Sequence, residues 1–571
     1  MVAKMLLLAL FAFSPTKSGS ATTQRVHHGT PHRGIPLAVT MDDLPFVGAL
    51  PPDTSAAEGL AQIVRSLVEH AVPATGFAVC KRLDEHPGAI SAWIHKGLQV
   101  GNHSTSHIAA DDLSVDAFLD DVRRCKDRLT KEVGVPPRFF RYPYLRTGAN
   151  REKRNAIFDG IRQMAQVRAP VSIDTADWLL ADAYADALKV KDTKLAAQIA
   201  DAYVQHVRLA ARHYRRVAER RIGRPIAQIL LLHANALAVH HLAEVLDMLE
   251  EEGFRFVPLA EALSDPAYAM VDDWVDVVGA SWLYRIAPAT KEAWAWDRGQ
   301  ERAMEARFGL RAEGAWKIGK ALFIRRLDNL PVWVVRHEDP ISANSLVVET
   351  KDGTPVLADT PWTPDATEDL LDWVELRFGK VPALASISHF HLDAAGGIEA
   401  LRARKIPVVA SRKTVALIRT KADAMRKALI RQHGEAFEGW SIAAPANAFD
   451  PQGGFDPRAG YRASVGGTRV EVLFPGEAHA PDNTVTWFPD TGVLFGGCLV
   501  KGGASLGYLG DANLDQYPRA VKFLQDLHPR WVVAGHGDRI DVEQLDNTRA
   551  LISKTLIRDP EVPGSRERER R

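Results

Sequence analysis

The stretch VPALASISHFHLDAAGG, Val381 to Gly397, decides how the second half of this chain is read. Its opening run, Val381–Ile387, is apolar and of a length that suits one buried strand. His389, His391 and Asp393 follow at alternating positions, so an extended segment turns all three to one side. Three side chains able to ligate a metal then gather where a sheet edge opens to solvent. Gly396-Gly397 permits a tight turn into a helix that starts at Ile398. A histidine pair alone is more often structural than ligating, but the chain repeats the arrangement. His479 lies in PGEAHAPDN (Pro475–Asn483) after the strand-like Val470–Phe474. Cys498 ends Gly496-Gly497-Cys498 after Val493–Phe495, and His536 sits in Ala534-Gly535-His536-Gly537 after Trp531–Val533. Each candidate ligand follows an apolar strand.

In this order the HFHLDAAGG, PGEAHAPDN, GGC…K and AGHG blocks, with ADTPWT at Ala358–Thr363, resemble subclass B1 of the metallo-β-lactamases. The resemblance spans roughly Lys317 to Lys554. It implies an αββα sandwich that binds two zinc ions in one shallow site and hydrolyses a small-molecule β-lactam. By resemblance His389, His391 and His479 hold one zinc, and Asp393, Cys498 and His536 the other, with Asp393 also orienting the nucleophile. Three neutral imidazoles leave a zinc acidic, with an open position, and can lower the pKa of water to about 7. Lys501 matches the family lysine that pairs with the carboxylate of a β-lactam; outside that context it reads as a surface lysine. Tyr508, in LGYLGD (Leu506–Asp511), stands where the family usually carries a substrate-contacting asparagine, and a phenol has a different reach. The fold hosts many hydrolases, so a non-lactam substrate is the alternative reading.

The first half alternates strand-like and helical stretches. Ile35–Val39, Thr75–Val79, Ile229–Leu232 and Phe254–Pro258 read as strands, and Ala56–His70, Val115–Glu132, Lys194–Glu219 and His240–Glu252 as helices. Such alternation argues for a layered or barrel α/β domain. Asp42-Asp43 ends the first strand. His103 and His107 are four apart, neighbours on one face if that segment is helical. Arg141-Tyr142-Pro143-Tyr144, Asp174–Trp178 and His233 complete a set whose members are individually weak. Together they resemble the polysaccharide deacetylase (NodB-like) domain, carbohydrate esterase family 4, over about Gly34–Leu263. The resemblance implies a distorted (β/α) barrel acting on an acetylated polysaccharide or oligosaccharide. Asp43, His103 and His107 then hold one divalent metal, usually zinc. Asp42 is the general base oriented by Arg141, and His233 the general acid oriented by Asp177. Trp178 and Tyr144 line the acetyl pocket. The family's first motif usually reads Thr-Phe-Asp-Asp-Gly, whereas Met41 and Leu44 flank the carboxylates here. The alternative is a carbohydrate-binding module that keeps the deacetylase shape.

The whole-chain numbers agree with a two-domain α/β protein. At 571 residues the chain exceeds one ordinary core. Lys plus Arg and Asp plus Glu both total 71, which points away from nucleic acid and anionic membranes. Expected segments are a signal peptide over 1–23, a deacetylase-like domain over 34–264, an aperiodic Trp-rich extension and linker over 265–315, a metallo-β-lactamase domain over 316–556, and a disordered tail over 557–571. Lys4 followed by the apolar Met5–Phe13 and then small and polar residues is the layout of a leader for export, periplasmic or secreted. No other run is long and apolar enough for a membrane span, so an integral membrane protein is not expected. Of three cysteines, Cys80 and Cys125 either pair or stay as buried thiols, and Cys498 is left over.

Overall fold

A computed structural model describes residues 34–289, 294–308, 315–318, 322–338, 340–437, 442–445, 447–449 and 460–558. The expected leader and nearly all of the expected tail lie outside them. The first half is built on eight parallel strands: β1 (Ile35–Leu44), β2 (Thr75–Ala78), β3 (Gln99–Asn102), β4 (Phe139–Phe140), β5 (Val167–Arg168), β6 (Ile173–Asp174), β7 (Gln228–His233) and β8 (Phe254–Phe256). Their order is β5-β4-β3-β2-β1-β7-β6, with β8 paired to the start of β1. Central strands of parallel sheets are covered on both faces, which is why β1 and β7 read as apolar runs. The strand path ends at β5 and β6, yet only residues 169–172 separate these in sequence. That connector spans at most about 18 Å, so the sheet must curl, giving a distorted barrel.

Helices cover the barrel. The helix Ala56–Glu69 starts at a capping box, where the Ser55 hydroxyl accepts from the Glu58 amide and the Glu58 carboxylate accepts from the Ser55 amide. It buries Leu60, Ile63, Val64 and Leu67. The helix Thr193–Ile222 buries Ile199, Tyr203, Val207 and Tyr214 and stops at Gly223, whose φ of 79° suits a glycine C-cap. A disulfide joins Cys80 to Cys125, leaving Cys498 a free, buried thiol.

The second half holds two sheets. One runs in chain order through β9 (Ala315–Ile318), β10 (Leu322–Arg326), β11 (Val332–His337), β12 (Ala343–Glu349), β13 (Pro355–Ala358), β14 (Leu384–Ser386), β15 (Val408–Ser411) and β16 (Asn447–Phe449). The other runs through β17 (Tyr461–Val465), β18 (Thr468–Leu473), β19 (Val485–Phe488), β20 (Val493–Gly497) and β21 (Trp531–Ala534). Val332, Val334, Leu346 and Val348 meet Val470, Val472, Phe488 and Val493 between the sheets. Alternate residues face outward. Trp333 packs on Trp373 of the helix Pro364–Phe378, with ring centroids 6.3 Å apart. Leu494 and Val532 share a cluster with Val521 and Leu524 of the helix Tyr517–Asp526. The architecture is αββα.

The stretch expected to be aperiodic after Asp265 contains the helix Trp294–Arg307, which packs on Pro364–Phe378. Tertiary burial ordered what local pattern did not. The halves also meet through the helix Thr193–Ile222. Asp372, fully buried, lies 3.1 Å from Arg216 of the first half and is also paired with Arg404. Arg404 reaches Glu368 at 2.6 Å and Glu375 at 3.1 Å, and Gln205 donates to Glu375 at 2.6 Å. No helix among the described residues is long and apolar enough to cross a membrane.

Removing one member of a buried ion cluster strands the others. Asp372→Ala is therefore expected to destabilise the protein by about 3 kcal/mol or more. Urea unfolding checks it, and an unchanged midpoint would contradict the account of this seam.

Candidate metal centres

The first centre forms where β1 leaves the barrel. Asp43 has φ 65°, so the backbone turns there and the adjacent carboxylates face different partners. Asp42 receives Arg141 Nη1 on both oxygens, at 3.1 and 3.2 Å. Arg141 is held in turn by Thr40 Oγ1 at 3.1 Å, the Ala169 carbonyl at 2.6 Å and the Phe77 ring beneath it. Asp43 Oδ1 lies 3.2 Å from His107 Nε2 and 3.8 Å from His103 Nε2. It is buried without a hydrogen-bond partner.

His103 and His107 do not share a helix face. β3 ends at Asn102 and a loop follows, with positive φ at Ser104 and His107. Local side chains capture the backbone groups a helix needs. Asn102 Oδ1 accepts from the Ser104 amide, Ser104 Oγ from the His107 amide, and the Asp121 carboxylate from the Thr105 and Ser106 amides. His103 Nδ1 faces the Arg141 carbonyl at 2.8 Å, which aims Nε2 at the carboxylates. Burial lowers both imidazoles to about 4, so they stand neutral, the ligating form. Asp43, His103 and His107 form a group able to hold a metal, with Asp42 Oδ2 3.6 Å from His103 Nε2.

Across the site, His233 ends β7 and its Nδ1 lies 2.6 Å from Asp177 Oδ1. Asp177 also accepts from the His233 amide and from Asn235. Burial alone would lower His233, but Asp177 outweighs it and the imidazole rises to about 9. Asp42 is raised by burial despite Arg141. Tyr144 and Trp178 are exposed at the rim, Tyr144 with its ring 4.6 Å from that of His107. Arg82, 3.5 Å from Asp43, carries no sequence motif that marks it.

The second centre collects loops after β14, β18, β20 and β21. The expected extended alternation holds through His391 only, because Asp393 lies on the short helix Leu392–Ala395. The helical turn swings its carboxylate back to the histidines. His389 and His391 have ring centroids 4.7 Å apart, and His479 sits 5.5 and 5.1 Å from them. Cys498 Sγ is 3.0 Å from Asp393 Oδ2 and 3.2 Å from His536 Nε2, and those two are 3.1 Å apart. His389 Nε2, Asp393 Oδ1 and His479 Nδ1 are buried with no hydrogen-bond partner. Groups of His389, His391 and Asp393, of His389, His479 and Cys498, and of Asp393, Cys498 and His536 each converge tightly enough to hold a metal ion. Burial pushes His389 down to about 3 and Cys498 up to about 11, a cost that a cation among them offsets.

Supporting groups lie behind the ligands. Asp359 accepts from the Ser388 amide and hydroxyl, and Ser388 Oγ meets His389 Nδ1 at 3.0 Å. Asp511 lies 3.2 Å from His391 Nε2 and 2.6 Å from Lys421. Its place in LGYLGD was visible; its reach to His391 was not. The Ser342 carbonyl meets His536 Nδ1. A cavity of about 730 Å³ opens over the centre, walled by Trp362, Met425, Leu429 and Leu506. Lys501 lines it, nearly buried, and Tyr508 stands exposed at its edge with its ring 5.7 Å from that of His391.

Residues 30–158 match the family model for polysaccharide deacetylase, and residues 339–536 that for the metallo-beta-lactamase superfamily. A metallo-beta-lactamase type 2 of Pseudomonas aeruginosa is 30% identical over 239 residues, covering 40% of this chain and 85% of that protein. One from Elizabethkingia meningoseptica is 30% identical over 217 residues, covering 37% of this chain and 76% of that protein. Among solved structures, a metallo-beta-lactamase from Pontibacter korlensis shares 29% identity over 41% of this chain and 99% of its own, with a TM-score of 0.35. The chain belongs to the metallo-beta-lactamase superfamily through its second half and carries a polysaccharide deacetylase domain in its first. Both are families of hydrolases, and the lactamase family binds divalent metal.

Asp177 is what lifts His233. With Asp177→Asn, only Asp43 and Asp42 are left to oppose burial, and the imidazole should titrate well below 9. Ring-labelled histidine NMR against pH checks this. In the wild type the stabilising contact is fully present below about pH 6.5 and is lost as pH rises through about 9.

Proposed function

We propose that this chain is a bifunctional exported zinc hydrolase. Its second half opens β-lactams with two zinc ions, and its first half removes acetyl groups from a polysaccharide with one. The observation that carries the lactamase reading is the thiol of Cys498 packed against Asp393 and His536 under a cavity lined by Lys501. Zinc held by these residues supplies a Lewis acid and lowers the pKa of water to about 7. Lys501 binds the substrate carboxylate from the cavity wall. Asp393 Oδ1, otherwise unpartnered, orients the attacking water. The apolar wall of Trp362, Met425 and Leu429 excludes solvent from the lactam.

In the barrel Asp42 takes a proton from water while Arg141 fixes its orientation. His233, protonated at neutral pH by virtue of Asp177, gives a proton to the leaving amine. Tyr144 and Trp178 flank the acetyl group. Export is supported by the leader-like start and by the Cys80–Cys125 disulfide, since such bonds persist in oxidising compartments. Fractionation of expressing cells is expected to place the protein outside the cytoplasm; retention in the cytoplasm would refute this.

A second reading keeps the zinc chemistry but replaces the lactam, and Tyr508 at the cavity edge favours it. Hydrolysis of a chromogenic cephalosporin separates the two. Turnover should stop with a zinc chelator and fall about 100-fold or more in Cys498→Ala. Zinc-replete protein without turnover would leave the second reading. Asp42→Asn is expected to cut acetate release from acetylated glycan by about 10²–10⁴-fold with cephalosporin turnover unchanged. No acetate release by either protein would make the barrel a binding module, and equal release by both would overturn the role of Asp42.

A further inference from the structure

The barrel contains a second cavity that neither catalytic reading uses. It measures about 490 Å³ and sits at the seam where the strand path is joined only by the connector between β5 and β6. One wall is that connector, from Val167 to Val171. The opposite wall is Tyr268, Asp272, Ala280, Trp282 and Arg285, all from the Trp-rich extension. Trp282 is fastened to the connector, its amide donating to the Val171 carbonyl. Phe158, Leu145 and Leu263 complete an apolar lining. The volume is that of a small-molecule site.

One polar group in it lacks a partner, and one cation is only loosely paired. Tyr142 lines the cavity and is 6% exposed, yet its hydroxyl has no hydrogen-bond partner. The Arg168 guanidinium stacks 3.4 Å over the Phe158 ring. Its nearest carboxylate, Asp272, is 3.9 Å away and is already bound at 2.8 Å by the buried Arg285. The rim pair of Arg162 and Asp159, 2.9 Å apart, cancels itself, and Arg141 is matched by Asp42. With Asp42 behind the wall counted beside Asp159 and Asp272, three carboxylates match four arginines and one cation is in excess.

We infer that this cavity binds a small carboxylate with an apolar, ring-sized body. The carboxylate receives N–H donors from Arg168 and the O–H of Tyr142, and the body lies among Phe158, Trp282 and Tyr268. A planar guanidinium already stacked on an aromatic ring is preorganised for a carboxylate. A phenol that gains an acceptor is relieved of its desolvation cost. Arg141 forms part of the wall, so the ligand rests against the residue that pairs with Asp42. The inference is independent of whether either catalytic centre turns over.

Calorimetric titration of the full-length, metal-loaded protein with phenylacetate tests it, with phenylacetamide as the uncharged isostere. Saturable binding with a Kd below about 1 mM is expected. Arg168→Gln and Tyr142→Phe should each weaken it about tenfold or more, and the amide should bind as weakly as those variants do. Tyr142→Phe keeps the ring and its packing, so it guards against a folding failure in Arg168→Gln. Carboxylate captured at either metal centre is untouched by these substitutions. Equal affinity in wild type and both variants, equal affinity for the amide, or no binding to wild type would each overturn the inference.

Discussion

A buried imidazole, thiol or carboxylate left without a partner costs roughly 1–3 kcal/mol, and at two places in this chain such atoms sit among side chains able to hold a metal. Asp43 Oδ1 in the barrel, and His389 Nε2, Asp393 Oδ1 and His479 Nδ1 in the sandwich, are buried with their polar atoms unmet. Each lies at the end of a strand, or in the loop after one, whose apolar side chains hold the sheet together. The hydrophobic effect builds the sheets, and the sheets carry polar groups to places they would not occupy alone. A divalent cation held among them would relieve that cost at both. The surrounding structure serves to keep those groups from relaxing toward other partners. Arg141 is clamped by Thr40 and Ala169, His103 by a carbonyl, His389 by Ser388 and Asp359, and His536 by Ser342.

The centres solve the problem with different chemistry. The barrel groups one carboxylate with two imidazoles and flanks them with an ion-paired carboxylate and an ion-paired histidine. Asp177, with Asp43 and Asp42, raises the His233 imidazole; Arg141 keeps Asp42 in place. The sandwich brings six metal-competent side chains together and leaves one wall of its cavity apolar. In both, residues expected to meet substrate sit at the rim, where Tyr144, Trp178 and Tyr508 are among the most exposed large side chains.

The halves are also one packed body. A single apolar cluster runs from the barrel through the helix Thr193–Ile222 to the helix Pro364–Phe378 and the sandwich beyond. Buried Asp372 and its arginines cross that contact. The length of the helix Thr193–Ile222, greater than a barrel needs, has a physical use: it reaches the neighbour.

Much of this was legible in the chain itself. Strand and helix positions follow from apolar periodicity, and the ligands stand out because His389, His391, His479, Cys498 and His536 each follow an apolar run. Where local pattern competed with local hydrogen bonding, the reading failed. The histidines at 103 and 107 meet through an Asx- and Ser-stabilised loop and not on a helix, and Asp393 arrives on a helical turn and not by strand alternation. The Trp-rich stretch after Asp265 had no period, since its order comes from packing against the barrel seam and the helix Pro364–Phe378. Arg82, Asp359 and Asp511 touch ligands or their supports from far along the chain. The sequence by itself determined which segments bury themselves and which residue types sit at their ends, because periodicity and side-chain chemistry are local properties. Only the tertiary structure decided which polar atoms were left unpaired together, because convergence depends on sheet order and loop path, which no local window contains.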